Sequence, residues 1–555
     1  MKKIKIVVGY PPIESKKGVP LLSQNRQFQY FNSPTYVYPM VPAYAATLLK
    51  KNGYKVYWMD GIAEKKTFNQ WLSELSKKKP DYLVMETKTP VIKLHWNIIN
   101  KLKKMSLKII LVGDHVTYLP LESFQNSKVD YVITGGDYDF VLLNLLNHIY
   151  KGEKLEGGVY WRKKDGKIKS IGKVENIIVV DGANEKVSRE ADCEVTNRAS
   201  QRNSIHERQN LPQIIYSSGP SSLKHNIDSL PFIDRDLTKW QLYAYENGNY
   251  KYTPATYMYS GRDCWWNRCA FCIWDQVLYP LGSYRSFSPE RLFAEVKYLI
   301  DKYKVKEIFD DAGTMFAGQK MKKFCQLLID SGYNKKVVFG CNMRFNAINQ
   351  ELYYLMKKAN FRFILYGMES ANQKTLDEIE KGIKVKDIID GSRMAAKAGL
   401  EPHATIMLGY PWESYQDAKK TIKLAKYCFE KGYFNTMQAT IVIPYPGSKL
   451  WKQCKENDWL LTEDYDRYDM REPVMKIPFP IKKIYELEQE LYSSFMTPRY
   501  IFRKIISVRS LHDFFYLFYM SKKLLSHLLD FDPNQTKVSF FSLSYWKNVL
   551  KSLFN

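Results

Sequence analysis

The chain has 555 residues, and 83 Lys and Arg against 58 Asp and Glu give it a formal charge of +25. Hydrophobic residues make up 45% of it and aromatics 15%, which excludes a disordered or collagen-like chain and allows three or four domains with cores of their own. Apolar runs such as 514–520 fall well short of the roughly 20 residues of a membrane span, and the run at 4–8 is too short for a signal peptide, so a cytoplasmic protein is expected.

From residue 3 to about 150, apolar β-branched stretches alternate with helix-like ones. Residues 3–8, 54–59, 81–86, 107–112 and 130–134 read as buried strands, and 40–51, 68–78, 92–104 and 139–150 as helices. This alternation predicts an α/β domain with a doubly wound parallel sheet, whose ligands bind beyond the carboxyl ends of the strands. Gly113-Asp114-His115 follows the fourth strand and Gly135-Gly136-Asp137 the fifth. Such glycines either let the backbone approach a large ligand or merely turn the chain, and both readings stay open. Gly9-Tyr10-Pro11-Pro12 follows the first strand in place of GxGxxG, which argues against a dinucleotide site. Past residue 150 the rhythm stops: 162–180 reads as a hairpin, and 183–228, rich in Ser, Asn, Gln, Arg and Glu, as a linker or exposed loop.

Eight cysteines are too sparse for a disulfide scaffold, yet three of them, Cys264, Cys269 and Cys272, share one short loop with the spacing CxxxxCxxC. Three thiolates on one loop suit three corners of a cubane iron–sulfur cluster and leave the fourth iron open to a chelating ligand. A structural zinc site is the competing reading, but it commonly wants paired CxxC knuckles, and the sequence has no second one. Cys325, Cys341, Cys428 and Cys454 stand singly and read as small buried hydrophobes. Around the loop, strands are predicted at 256–260, 307–310, 336–341, 361–366, 403–408 and 436–443, with helices between them. Six such units make a (β/α)6 partial TIM barrel with its chemistry at the carboxyl ends of the strands. Those ends carry Asp310-Asp311, Asn342 with Arg344, Gly367 with Glu369-Ser370, Gly409 with Glu413, and Pro444-Tyr445-Pro446-Gly447.

The cysteine loop, IFDDAGTMF, Asn342-Met343-Arg344, YGMES, LGYPWES and PYPGS together resemble the cobalamin-binding subgroup of radical S-adenosylmethionine enzymes, over about residues 1–455. The stretch CAFCIWDQVLYPLGSYRSFSPERL is similar to members of the hopanoid-biosynthesis and magnesium-protoporphyrin ester cyclase types. The resemblance implies a [4Fe–4S] cluster on Cys264, Cys269 and Cys272, with Phe271 near the adenine of S-adenosyl-L-methionine. It also implies Asp310 or Asp311 at the methionine amino group, Arg344 and Glu369 at its carboxylate and ribose, and Gly409 with Pro444 to Gly447 bordering the adenine. Gly113, Asp114, His115, Gly135 and Gly136 then border cobalamin in the first domain. Two departures stand out: the family spacing is CxxxCxxC, one residue shorter in its first gap, and DxHxxG, which supplies a lower-face histidine to cobalt, is missing, with Asp60-Gly61-Ile62 as its nearest counterpart.

The expected chemistry is reductive cleavage of S-adenosylmethionine to a 5′-deoxyadenosyl radical and methylation of an unactivated carbon, with oxidative cyclisation or rearrangement without methyl transfer as the alternative. A low-potential donor of flavodoxin or ferredoxin type and a small-molecule or lipid substrate are the expected partners. RNA methylthiolation is disfavoured because no cysteine precedes Cys193. A zinc-stapled nucleic-acid-binding protein leaves the six βα units unexplained, and no nucleic-acid partner is expected.

The expected domains are 1–155 (cobalamin-binding type), 156–235 (connecting), 236–455 (barrel) and 456–555 (helical, basic and aromatic). From Thr497 to the end, nine Lys or Arg face three Asp among Tyr, Phe and Ile. Two readings compete there: a helical cap packing its aromatic face on the barrel, which is preferred, and an interfacial helix that makes the protein peripheral at the inner membrane face.

Overall fold

A computed structural model describes residues 3–22, 28–162, 176–181, 184–188, 213–493 and 497–527. The chain forms two compact units: residues 1–12, 41–226 and 230–238 in the first, and residues 13–40, 227–229 and 239–555 in the second.

In the first unit, strands Lys55–Asp60, Lys5–Tyr10, Tyr82–Thr87, Lys108–Gly113 and Tyr131–Ile133 lie side by side in that order, all parallel. Their side chains are almost wholly buried, as the continuous apolar runs require when helices cover both faces of a sheet. Helices Met40–Lys51, Phe68–Lys78 and Ile92–Leu102 and the short Asp114–Tyr118 and Pro120–Asn126 connect them, and Tyr138–Lys151 follows the last. Thr67 starts the second of these with a reciprocal capping box to Gln70. Because the chain continues in opposite directions from Lys5–Tyr10, a crevice opens at the carboxyl end of that strand, beside Tyr82–Thr87. Buried polar groups meet there: the Tyr10 and Tyr138 hydroxyls both donate to Glu86, and Asp60 accepts from the amides of Ile62 and Ala63 at 3.0 Å each.

The sheet continues where the sequence predicts a linker. Val159–Arg162 pairs antiparallel with Tyr131–Ile133, followed by Gln213–Ser217, Asn176–Asp181 and Asn184–Ser188, giving nine strands. Of the hairpin predicted over 162–180, residues 163–175 lie outside the described ones; Asn176–Asp181 pairs antiparallel with Asn184–Ser188. Residues 189–212 of the expected linker lie outside the described ones. Short strands such as Gln-Ile-Ile-Tyr-Ser, set in polar sequence, carry too little alternation to be read, and the growing sheet edge recruits them.

In the second unit, Ala255–Met258, Glu307–Asp310, Val338–Met343, Phe361–Glu369, Glu401–Leu408 and Thr436–Ile441 form six parallel strands in sequence order, an open partial barrel. Its helices begin on side-chain caps: Ser288 before Pro289–Tyr303, Asn349 before Gln350–Lys358, and Ser414 with Asp417 for Tyr415–Lys431. Helix Ile481–Ser493 packs beside Tyr415–Lys431, and helices Pro498–Ile506 and Leu511–His527 follow.

Candidate active site at the carboxyl end of the barrel

The cysteine loop starts where the first barrel strand ends, and hydrogen bonds tie it down along its length. Asp263 and Asn267 adopt left-handed backbone conformations (φ 72° and 51°). The Asn267 amide donates to the carbonyls of Tyr279 at 2.8 Å and Pro280 at 3.4 Å. The first gap of CxxxxCxxC thus contains a left-handed turn at an asparagine, one of the residue types that best tolerate it. Trp266 donates from Nε1 to the Glu380 carbonyl at 2.8 Å, and Ala270 N–H to that of Ile379 at 3.0 Å, so the loop is tied to the chain beyond the fourth strand.

Cys264, Cys269 and Cys272 are buried and line one end of a cavity of about 620 Å3. Burial raises all three thiols: Cys269 is pushed up to about 12, and Asp275 adds to burial at Cys264 and Cys272. Such thiols ionise only against a strong positive centre, which iron supplies. The donor set fits a [4Fe–4S] cluster: three thiols from one short loop line the cavity.

Around the thiols stand Phe271, Asp275, Asp311, Thr314, Asn342, Arg344, Glu369 and Lys381, brought together from the ends of the first four strands and the loops after them. The structure separates the two aspartates that the sequence leaves as alternatives. Asp310 points into the barrel wall and accepts from Ser260 N–H and Oγ at 2.6 Å each, and burial raises it to about 7. Asp311 lines the cavity, held by Asn342 Nδ2 at 3.3 Å. Arg344 donates to the carbonyls of Lys381 and Gly382 and stacks 4.3 Å above Trp266, while its buried Nε has no nitrogen or oxygen acceptor among the described residues.

Lys381 donates to Glu369 Oε1 at 2.6 Å. Burial works against its ammonium, but Glu369 and Cys269 outweigh burial and raise its pKa. Gly367 makes this pair possible, because a Cβ there would stand 2.2 Å from Glu369 Oε1 and 2.4 Å from Lys381 Nζ. Reading the sequence missed Lys381. It sits in a short Lys-rich loop, KGIKVK, where nothing distinguishes it from solvated neighbours.

Gly409, Pro444 and Gly447 are buried but do not line the cavity; Val442, Ile443 and Tyr445 do. In the first unit, Gly113 has φ 125°, and a Cβ there would stand 2.1 Å from the Thr87 carbonyl oxygen, so packing between strands alone requires glycine. Gly135, Gly136 and Asp114 are buried, and Asp114 lies 3.6 Å from Lys88. His115 is buried with Nδ1 3.2 Å from Thr89 Oγ1 and Nε2 3.1 Å from Glu122.

Residues 258–425, from the first barrel strand through the Tyr415–Lys431 helix, match the Radical SAM superfamily. This segment is a radical SAM domain. An uncharacterised methyltransferase of Pyrococcus horikoshii is 25% identical over 513 residues, covering 91% of this chain and 95% of its own. Among solved structures, the cobalamin-dependent S-adenosylmethionine radical enzyme OxsB superposes with a TM-score of 0.62 at 13% identity, over 95% of this chain and 72% of its own. The radical S-adenosylmethionine methyltransferase TsrM of Kitasatospora setae superposes with a TM-score of 0.55 at 12% identity, over 82% and 75%. These likenesses bear out the fold expected from the sequence, a doubly wound sheet followed by a partial barrel. The radical SAM domain also removes the grounds for a zinc-stapled nucleic-acid-binding protein.

Proposed function

We propose that the chain is a cobalamin-dependent radical SAM enzyme that methylates an unactivated carbon of a small, apolar or anionic substrate. One observation carries the reading: three buried loop thiols and a ring of charged groups, Asp311, Arg344, Glu369 and Lys381, share one cavity end within a radical SAM domain. Support for cobalamin is the doubly wound sheet with its crevice beyond Lys5–Tyr10, together with solved neighbours named for cobalamin and a methyltransferase-named relative. Since both ring nitrogens of His115 face Thr89 and Glu122, this reading takes cobalamin without a lower-face histidine.

Cys264, Cys269 and Cys272 would hold the cluster, which when bound supplies one electron to the sulfonium of S-adenosylmethionine. Asp311 would accept from the methionine ammonium, and Arg344, with its buried Nε, would meet the carboxylate. Glu369, oriented by Lys381, offers an acceptor to the ribose hydroxyls, and the half-buried Phe271 ring a face to the adenine. The enclosing wall keeps water and stray hydrogen donors from the radical.

Per methylated product, two S-adenosylmethionine and two electrons are used. The substrate C–H hydrogen passes to 5′-deoxyadenosine, and the other products are methionine and S-adenosylhomocysteine. A flavodoxin- or ferredoxin-type donor supplies the electrons. Methyl-labelled S-adenosylmethionine given to the reduced enzyme with candidate substrates tests this reading: label in the product and equal amounts of the two nucleosides are expected. Deoxyadenosine without S-adenosylhomocysteine or transferred label would instead assign an oxidative cyclase or rearrangement.

A further inference from the structure

Eight of the sixteen exposed large hydrophobic side chains among the described residues lie between Ile501 and Phe518, whereas the others are scattered along the chain. Phe502 (63% exposed), Leu511 (79%), Phe515 (64%) and Phe518 (61%) point outward from helices Pro498–Ile506 and Leu511–His527. Leu511, Phe515, Phe518 and Lys522 follow helical spacing, so an apolar stripe ends on a lysine. The preferred expectation, an aromatic face packed on the barrel, is met by only one side of each helix. Tyr500 donates to the Asn435 carbonyl at 2.9 Å, Asp513 pairs with Lys251 at 2.7 Å, and His512 stacks on Tyr252 at 5.0 Å. These anchors fix which side faces inward, and the apolar stripe cannot turn over to bury itself.

We propose that this outward face docks on an anionic lipid bilayer. The aromatic and aliphatic stripe would enter the boundary between headgroups and acyl chains, and the exposed Arg499 and Arg509, with Lys522, would meet lipid phosphates. Charge decides for this occupant: the cationic side chains border the apolar stripe on a chain of net charge +25, and no described helix is long and apolar enough to cross a membrane, so contact is interfacial. Docking has a consequence for the proposed reaction, and this consequence alone rests on the reading of the cavity as the active site. Ile501 and Ile505 line the cavity yet are 41% and 60% exposed, so the cavity opens at the docking face, at the amino end of the barrel and opposite the thiols. A membrane-dissolved amphiphile would reach the barrel there without crossing water.

The test uses full-length, anaerobically purified protein and vesicles of phosphatidylcholine with and without phosphatidylglycerol. Wild type should co-sediment with the anionic vesicles and be released as salt rises. F502S/F515S/F518S should bind about tenfold less or weaker still, while its iron content, thermal midpoint and substrate-free formation of deoxyadenosine stay at the wild-type level. R499E/R509E should lose the preference for anionic lipid. Wild-type protein that ignores anionic vesicles, or a triple variant that binds as well as wild type, would overturn the proposal. So would binding that appears only after removal of residues 528–555, which would make that segment the occupant. A dimer dispersed by the triple variant without any lipid binding would assign the face to a second copy. Vesicle binding is read separately from nucleoside products, so failure of docking and failure of the proposed reaction are told apart.

Discussion

At the amino end of the barrel, Arg362 lies between Glu307 and Glu401, donating to each at 2.6 Å and to the Asn249 carbonyl at 2.7 Å. Glu307 accepts further from the amides of Lys251 and Tyr252 at 2.6 and 2.7 Å. At the carboxyl end the same residue types are arranged otherwise. Lys381 and Glu369 satisfy each other but face a cavity, and Arg344 keeps a buried donor in reserve. Glu401 lines the same cavity, but Arg362 spends its donors on the chain, whereas Arg344 leaves its Nε without a nitrogen or oxygen acceptor among the described residues. A buried guanidinium by itself marks no site; what separates the two ends is how much hydrogen-bonding capacity the chain leaves unused.

The sharpest way to break this contrast is at the cysteine loop. Replacing Cys264, Cys269 or Cys272 by Ala should remove most iron and sulfide and abolish cleavage of S-adenosylmethionine. Cys325→Ala, at a buried position of helix Gly318–Asp330 in the same domain, should do neither. Metal and sulfide analysis after anaerobic reconstitution reads the difference, and equal loss in Cys325→Ala would reduce the effect to general unfolding. Next in size, Arg362→Met should leave the buried Glu307 and the partly exposed Glu401 without their partner and cost about 3–5 kcal/mol of stability. Denaturant unfolding would read that cost, with the KM for S-adenosylmethionine unchanged in whatever protein stays folded. A shifted KM at full stability would show that the two ends are not separate.

Lys381→Met and Glu369→Gln break a buried pair and so cost stability too, but they should also raise the KM for S-adenosylmethionine. Loss of a charge-assisted bond to the ligand, or to the group that orients it, is worth about 1.5–3 kcal/mol, or roughly 10- to 100-fold in KM. Steady-state kinetics of deoxyadenosine formation reads it; a variant with normal KM and a lowered melting point would move the pair into the structural class.

A pH dependence gives a further test. Burial raises Asp310 to about 7, while an unfolded aspartate titrates near 4. Between these values the folded state holds a proton that the unfolded chain releases, so stability from this group is largest below about pH 4 and declines as the pH rises to about 7. Asp310→Asn should flatten that part of the stability profile, and an unchanged slope would assign it to other groups.

How much of this was legible beforehand follows from how local the signals are. The five parallel strands of the first unit and all six barrel strands were readable because each is a short apolar run bounded by turn residues. The thiol loop was readable because its chemistry sits within nine residues, 264–272. Asp310 and Asp311 were not separable, since adjacent residues on a strand end point opposite ways and only the register with Ser260 decides which faces in. Lys381 became visible only through Glu369, twelve residues away in sequence. The extra strands at 176–188 and 213–217 were hidden because pairing with an existing sheet edge, rather than their own pattern, makes them strands. The outward face of the last two helices was hidden as well, because the sequence shows that such a helix is amphipathic but not which side finds a neighbour.

Reductive cleavage of S-adenosylmethionine tests the central claim most directly. The wild-type chain, reconstituted anaerobically with iron and sulfide and reduced with dithionite, should form 5′-deoxyadenosine from S-adenosylmethionine, and Cys269→Ala under the same conditions should form none. A wild-type protein that holds stoichiometric iron and sulfide yet yields no deoxyadenosine, or that purifies with zinc and no sulfide, would contradict the assignment of the barrel's carboxyl end as a radical-generating site.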